Sequence, residues 1–164
     1  MRILLVYFIG FSIATHAVAQ EKCVQKKPNT LFSCQTFLAF VGGVEKGKAK
    51  LLANNFCFTE TEEVEKGVTY HNFRLDHTQD VRAKVYNFDA FSLTDQAERF
   101  EYKTSVQKNF LSYKNKLLRC GFEYVNEGFY KKVTPSGTYY MTLVEAASDP
   151  EAPNYYIIVS KSSN

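Results

Sequence analysis

Apolar residues recur at helical spacing in two separate stretches of the chain. In the first, one approximate helical face carries Phe37, Phe40, Val44, Leu51 and Leu52. Glycines at positions 42, 43 and 47 interrupt this face, and each costs about 1 kcal/mol in a helix interior. Either the helix restarts after Gly43, or the glycines allow another part of the backbone to come close.

The second helical stretch is more regular. Val106, Phe110, Tyr113 and Leu117 follow one another at i, i+4, i+7 and i+11, which is one stripe of a 3.6-residue helix. Thr94 is suited to cap the start of this helix, and Gly121 is suited to end it in the left-handed conformation.

Runs typical of β-strands follow each helical stretch. The first set is FCFTETEEV, VTYHNFRLD and VRAKVYNFDAF, with turns predicted at Lys66-Gly67 and at DHTQD. The second set is FEYV, FYKKVT, TYYMTLVEA and NYYIIVSK. Short turns require antiparallel pairing, because a parallel crossover needs a dozen or more residues.

The two stretches also resemble one another in sequence. KAKLLANNFCF, which starts at Lys48, matches KNKLLRCGFEY, which starts at Lys114, with identical residues at five aligned positions. We therefore predict an α+β fold of two tandem units over about 33–91 and 94–164. Each is a helix followed by three antiparallel strands (α-βββ twice), with three or four strands in the second unit. Chance similarity within a short window is the alternative.

The first 19 residues have the pattern of a secretory signal peptide. Arg2 precedes an apolar run from Ile3 to Ile13, and Ala17-Val18-Ala19 fits a small-x-small cleavage site. The run is shorter than the roughly 20 residues that span a bilayer. We expect cleavage after Ala19, a single mature domain over 20–164 without a membrane span, and a periplasmic or extracellular location.

The charge of the chain argues against nucleic acid as a partner. The formal net charge is +3, and loss of Arg2 with the signal peptide leaves +2, which is too near zero to indicate binding of nucleic acid or of an anionic membrane. The chain has 14 Phe and 11 Tyr but no Trp. Strands that are rich in tyrosine suit a sheet that exposes one face to water.

All four cysteines lie in the predicted mature chain, which favours two disulfides in an oxidising compartment. Their spacing contains no C-x2-4-C pair and so does not indicate zinc. Of the three possible pairings we predict Cys23–Cys34 and Cys57–Cys120, the second joining the two units.

Candidate catalytic residues are few. His71 and His77 are six residues apart, about 20 Å in a strand, which is too far to share a metal ion. A cluster of acidic residues comprises Glu60, Glu62, Glu63 and Glu65. It offers paired carboxylates, but we interpret it as a charged edge strand that prevents edge-to-edge aggregation. We predict neither a metal nor a cofactor.

Two functions remain open from the sequence. The first is a non-enzymatic binding or inhibitor-like module whose partner is a protein or a glycan. Its candidate binding residues are the tyrosines of the second sheet, Tyr130, Tyr139, Tyr140, Tyr155 and Tyr156. The alternative is a small exported hydrolase that uses carboxylate chemistry.

Overall fold

The structure, a computed structural model, describes residues 33–42, 44–65, 67–80, 85–94, 98–146 and 154–162. Within them the chain forms three helices and eight strands. In order these are α1 (Cys34–Val41), α2 (Val44–Ala53), β1 (Cys57–Glu65), β2 (Val68–Asp80), β3 (Val85–Thr94), β4 (Arg99–Thr104), α3 (Gln107–Arg119), β5 (Glu123–Asn126), β6 (Phe129–Thr134), β7 (Gly137–Ala146) and β8 (Asn154–Ser162). The predicted signal peptide, residues 1–19, lies outside the described residues.

All eight strands belong to one sheet. Their spatial order is β1-β2-β3-β4-β8-β7-β6-β5, and every neighbouring pair runs antiparallel. The predicted α+β class with antiparallel strands is therefore confirmed. The order also has a simple form: β1 to β4 run from one edge to the centre, β5 to β8 run from the other edge, and β4 pairs with β8 where they meet.

The three helices cover the same face of this sheet. Phe37 of α1 packs its ring 6.1 Å from that of Phe91 on β3, and Tyr113 of α3 packs 4.5 Å from Tyr102 on β4. In α2, a Cβ added at Gly47 would lie 2.6 Å from Cδ1 of Leu93 on β3, so glycine is needed for this close approach. Phe and Tyr rings from both layers thus make up much of one continuous core.

The glycines after α1 separate two helices. α1 ends with Gly42 as its C-cap, and α2 begins at Val44. Of the two outcomes allowed by the sequence, a helix that stops and restarts is the one that occurs here.

The first half contains four strands, where we predicted three. The helix that we expected to begin after Thr94 begins at Gln107 instead, and Thr94 is the last residue of β3. Between them lies β4, whose residues alternate between half-buried and buried. The segment RFEYKT has the polar–apolar alternation of a strand, so the helical interpretation of this segment was wrong.

The ends of α2 and α3 match more closely than their beginnings. Leu51 and Leu117 are both fully buried. Asn55 and Gly121 follow with positive φ angles of 64° and 85°, so the left-handed cap predicted at Gly121 is confirmed, and Asn55 takes the same conformation at the end of α2. Each cap leads directly into a buried phenylalanine, Phe56 or Phe122, and then into the next strand.

The disulfide pairing differs from our prediction. Cys34 at the start of α1 is bonded to Cys120 at the end of α3, with the two Cα atoms 5.7 Å apart. Both predicted pairings, Cys23–Cys34 and Cys57–Cys120, are therefore wrong. Cys57 is also disulfide-bonded, and Cys23 lies outside the described residues. The two helices pack so that the beginning of one adjoins the end of the other, which sequence spacing does not reveal.

Candidate functional site

The five tyrosines that we predicted as binding residues divide between the two faces of the sheet. Tyr139 is buried, with 9% of its surface exposed. Tyr155 stacks on Phe110 of α3 with ring centres 5.2 Å apart, and Tyr130 also packs against the core. Because side chains alternate along a strand, Tyr140 and Tyr156 point to the other face.

We call that other face, opposite α1, α2 and α3, the open face. Directly paired residues of neighbouring strands share a face, so the pairing register assigns its members. The part formed by β2, β3 and β4 includes the charged residues Arg74, Asp76, Arg99, Glu101 and Lys103. The part formed by β6, β7 and β8 includes Phe129, Val133, Tyr140, Val144, Tyr156 and Ile158. These two parts are the charged half and the apolar half.

Charged side chains in the charged half largely pair with one another. The Nε atom of Arg74 lies 2.7 Å from Oδ1 of Asp76. Arg99 forms an ion pair with Glu101, and the hydroxyl of Tyr70 donates to the same carboxylate at 3.0 Å. Exposed pairs of this kind add little stability, but they fix the positions of the side chains along the sheet.

The apolar half has a different composition. Val133 is 67% exposed and Val144 is 38% exposed. Phe129 and Tyr140 stack with their ring centres 5.7 Å apart, while Tyr156 and Ile158 are half-buried. Among the described residues, no helix packs over this surface, so aromatic and aliphatic groups face outward together. Lys131, Thr142 and Ser160 lie among them on the same face, and a group of outward-facing apolar side chains of this kind is typical of interaction sites.

A row of cationic and aromatic side chains crosses the boundary between the two halves. The guanidinium carbon of Arg74 lies 4.5 Å from the ring centre of Phe88. The Nζ atom of Lys103 lies 5.6 Å from the same ring and 5.4 Å from that of Tyr156. Distances below about 6 Å allow a cation to interact with the ring face. We call these four residues the cation–aromatic row.

The covered face contains one buried carboxylate, Asp89 on β3. It is fully buried, and it accepts a hydrogen bond of 2.7 Å from the hydroxyl of Tyr102 on β4. Nδ2 of Asn109 on α3 donates to both carboxylate oxygens, at 3.2 and 3.1 Å. Nε2 of His77 on β2 lies 2.7 Å from Oδ2. Three strands and one helix therefore meet at a single carboxylate, which we call the Asp89 cluster.

These contacts control the ionisation of the cluster. Burial by itself raises the pKa of Asp89, but hydrogen bonds, led by the one from His77, outweigh it and hold that pKa below its usual value. Burial first, and then the negative charge of Asp89, raise the pKa values of Tyr102 and Tyr113. An ionised Asp89 surrounded by neutral phenols is the arrangement that these shifts favour.

The Asp89 cluster was not found by sequence reasoning. DHTQD, which we predicted as a turn, lies within β2, and the strand carries His77 to Asp89. The sequence did contain a signal, because Asp89 has the same strand parity as Phe91 and Leu93, which point into the core. An acidic residue at an inward position must find partners there.

The predicted acidic residues do not converge on a site. Glu60, Glu62 and Glu63 are exposed along β1, an edge strand of the sheet, and the side chain of Glu65 lies outside the described residues. In the part of the chain that the structure describes, no group of three or more His, Cys, Asp or Glu residues could hold a metal ion.

Comparison of the chain with known protein families, with curated proteins and with solved structures finds no match. Across the described ranges, no helix combines the length and the apolar character needed to cross a membrane.

Proposed function

We propose that this chain is an exported, non-enzymatic binding module whose open face contacts a partner protein or glycan. The observation that carries this proposal is the apolar half, where Phe129, Tyr140, Val144, Tyr156 and Ile158 face outward on the side opposite the helices. Aromatic residues are enriched in interfaces because a rigid ring provides a large contact area at little conformational cost.

Export is part of this proposal. The leader-like residues 1–19 support it, and so does the Cys34–Cys120 disulfide, because such bonds persist in oxidising compartments. Expression with the native leader and mass spectrometry of the exported protein test it. The expected mature N-terminus is Gln20, and retention of residues 1–19 in the exported protein would contradict the proposed cleavage.

We also propose that the two halves are copies of one unit, now with four strands each. The mirrored strand order around β4 and β8 supports this, as do the equivalent pairs Leu51 and Leu117, Asn55 and Gly121. Two such units placed side by side would leave one continuous open face for binding.

The alternative of a hydrolase has less support. Its candidate acids lie along the exposed edge strand β1. Asp89, the one carboxylate that is buried in the described ranges, is engaged by Tyr102, Asn109 and His77. A carboxylate held by side chains from two neighbouring strands and a helix is well placed to stabilise the fold.

Two adjacent tyrosines on opposite faces provide the test of binding. We expect Tyr156→Ala, on the open face, to change the free energy of unfolding by less than about 1 kcal/mol and to reduce capture of a partner from envelope or medium extracts. Tyr155→Ala, on the covered face against Phe110, should cost about 3 kcal/mol. Both quantities are measured on the same preparations by denaturant unfolding and by immobilised-protein capture.

The pattern across the two variants decides the outcome. Undiminished capture by Tyr156→Ala and by a matched Tyr140→Ala would remove the open face as the binding surface. A large loss of stability in Tyr156→Ala would instead identify this ring as part of the core.

A further inference from the structure

The cation–aromatic row places two positive charges around one ring. Arg74 and Lys103 come from β2 and β4, on either side of Phe88 in β3, and both lie within 5.6 Å of its centre. Two positive charges that are this close to one ring repel each other, and the interaction of each charge with the ring offsets the repulsion only in part. Asp76 offsets part of this charge through Nε of Arg74, and an anionic group that reaches Nζ of Lys103 and the far edge of the Arg74 guanidinium would still be attracted.

Several donors of these cations have no acceptor among the described residues. Arg74 uses its Nε for Asp76, and its side chain is 40% exposed. Among the described residues, the contacts of Lys103 are with the rings of Phe88 and Tyr156. A guanidinium stacked on an aromatic ring keeps its outer edge available for a carboxylate or a sulfate group.

The neighbouring surface indicates what the anionic group is attached to. Tyr156 pairs with Val144, and Ile158 pairs with Thr142. Tyr140 pairs with Ser160 on the same face, so hydroxyl groups alternate with rings and aliphatic side chains. A sugar chain has the same mixture, since its rings present C–H faces and its edges present hydroxyls.

We propose that the cation–aromatic row and the adjoining apolar half bind an acidic glycan, with a carboxylate or sulfate between Arg74 and Lys103 and sugar rings over Tyr156. This inference rests on the proposed function, because it names the ligand class of the open face.

Two other macromolecules fit the surface less well. Single-stranded nucleic acid also combines with aromatic and basic residues, but the proposed export of the chain would separate it from the nucleic acids inside the cell. A protein interface is usually depleted in lysine, whereas Lys103 lies at the centre of this row.

Dextran and dextran sulfate are matched probes, because they share a backbone and differ in charge. We expect the full exported protein to bind dextran sulfate and polygalacturonate, to bind neutral dextran far more weakly, and to lose affinity at about 0.5 M salt. Binding is measured by isothermal titration and affinity electrophoresis, with a single-stranded oligonucleotide as a further probe.

Variants then locate the site. Lys103→Gln and Arg74→Gln should each raise the Kd for dextran sulfate about fivefold, the size of a solvent-exposed charge contact. Lys108→Gln, at an exposed position of α3 on the opposite side of the sheet, is the control with the same change of charge and should leave the Kd unchanged.

The results separate this inference from the proposed function. Equal effects of Lys103→Gln and Lys108→Gln, stronger binding of the oligonucleotide than of both acidic glycans, or equal affinity for dextran and dextran sulfate would overturn the acidic-glycan assignment. If Tyr156→Ala still abolished capture of a protein or a neutral glycan in those cases, the open face would remain the binding surface. If no open-face variant affected any ligand, both proposals would fall.

Discussion

The two halves of the sheet have the same strand order, but the side-chain contacts on their two faces differ. Beneath β2, β3 and β4 lies the Asp89 cluster, and above them lie the ion pairs of Arg74 and Arg99. The corresponding part of β6, β7 and β8 has Met141, Ile157 and Val159 in the core and the apolar half outside. Both halves thus contain an apolar core, and in the described residues the first half adds to it a buried carboxylate with its hydrogen-bond partners.

This difference indicates that the first half contributes most to stability and the second half most to binding. A buried hydrogen-bond network tolerates little change, because each lost partner leaves a donor or acceptor unsatisfied. An exposed apolar surface can change its side chains without such a penalty. We therefore expect substitutions to affect stability most in the first half and binding most in the second.

The largest expected effect is that of Asp89→Ala. Its removal leaves Tyr102 and Asn109 without their buried acceptor, which should lower the free energy of unfolding by about 3–5 kcal/mol. Glu123→Ala, an exposed acid on β5, is the control and should change it by less than about 0.5 kcal/mol. Denaturant titration measures both, and similar losses in the two variants would refute the proposed contrast.

Removal of the link between the halves should have the next largest effect. The Cys34–Cys120 bond joins residues 86 positions apart, and replacing both cysteines by alanine should cost about 2–4 kcal/mol through the entropy of the unfolded chain. The measurement is thermal and urea unfolding of the double variant. An unchanged midpoint would mean that helix packing alone holds α1 against α3.

Acid should destabilise the first half through Asp89. Its pKa in the folded protein lies below the unfolded value of about 3.9, so the folded state binds fewer protons around that pH. The contribution of Asp89 to stability is thus complete above the unfolded pKa and is lost as pH falls through the folded pKa. Urea unfolding between about pH 6 and 2 should give a shallower decline for Asp89→Asn than for the parent protein, and parallel curves would contradict this assignment.

The smallest expected effect concerns the two helix ends that we propose to be equivalent. Gly121→Ala places a Cβ at a φ of 85° and should cost about 1 kcal/mol. Asn55→Ala, at a φ of 64°, should cost a similar or slightly smaller amount, because asparagine already tolerates this conformation better than alanine. Thermal unfolding of the two variants measures the costs, and a negligible loss at only one of them would argue against equivalent caps.

Local patterns predicted much of the architecture. The stripe of Phe110, Tyr113 and Leu117 follows from helical spacing, and the cap at Gly121 follows from left-handed propensity; both are confirmed. The missing strand, β4, was an error of interpretation, because Phe100, Tyr102 and Thr104 already alternate with polar residues.

The candidate sites were harder to predict because they combine distant residues. Asp89, His77 and Asn109 are each ordinary in sequence, and only the pairing of β2 with β3 and the packing of α3 bring them together. The five tyrosines illustrate the same difficulty. Alternation shows that Tyr155 and Tyr156 point in opposite directions, but it does not show which direction faces the helices.

The amino-acid sequence by itself determined the features that depend on neighbours a few residues apart. These are helical stripes, most strands, left-handed caps and the antiparallel sense of short hairpins, all of which arise from backbone sterics and side-chain period.

Tertiary structure decided the features that depend on residues far apart in the chain. It placed all strands in one sheet with β4 against β8, paired Cys34 with Cys120, and assigned one face to the helices. These outcomes follow from burying the most apolar surface while pairing every strand, a balance over the whole chain that no short segment contains.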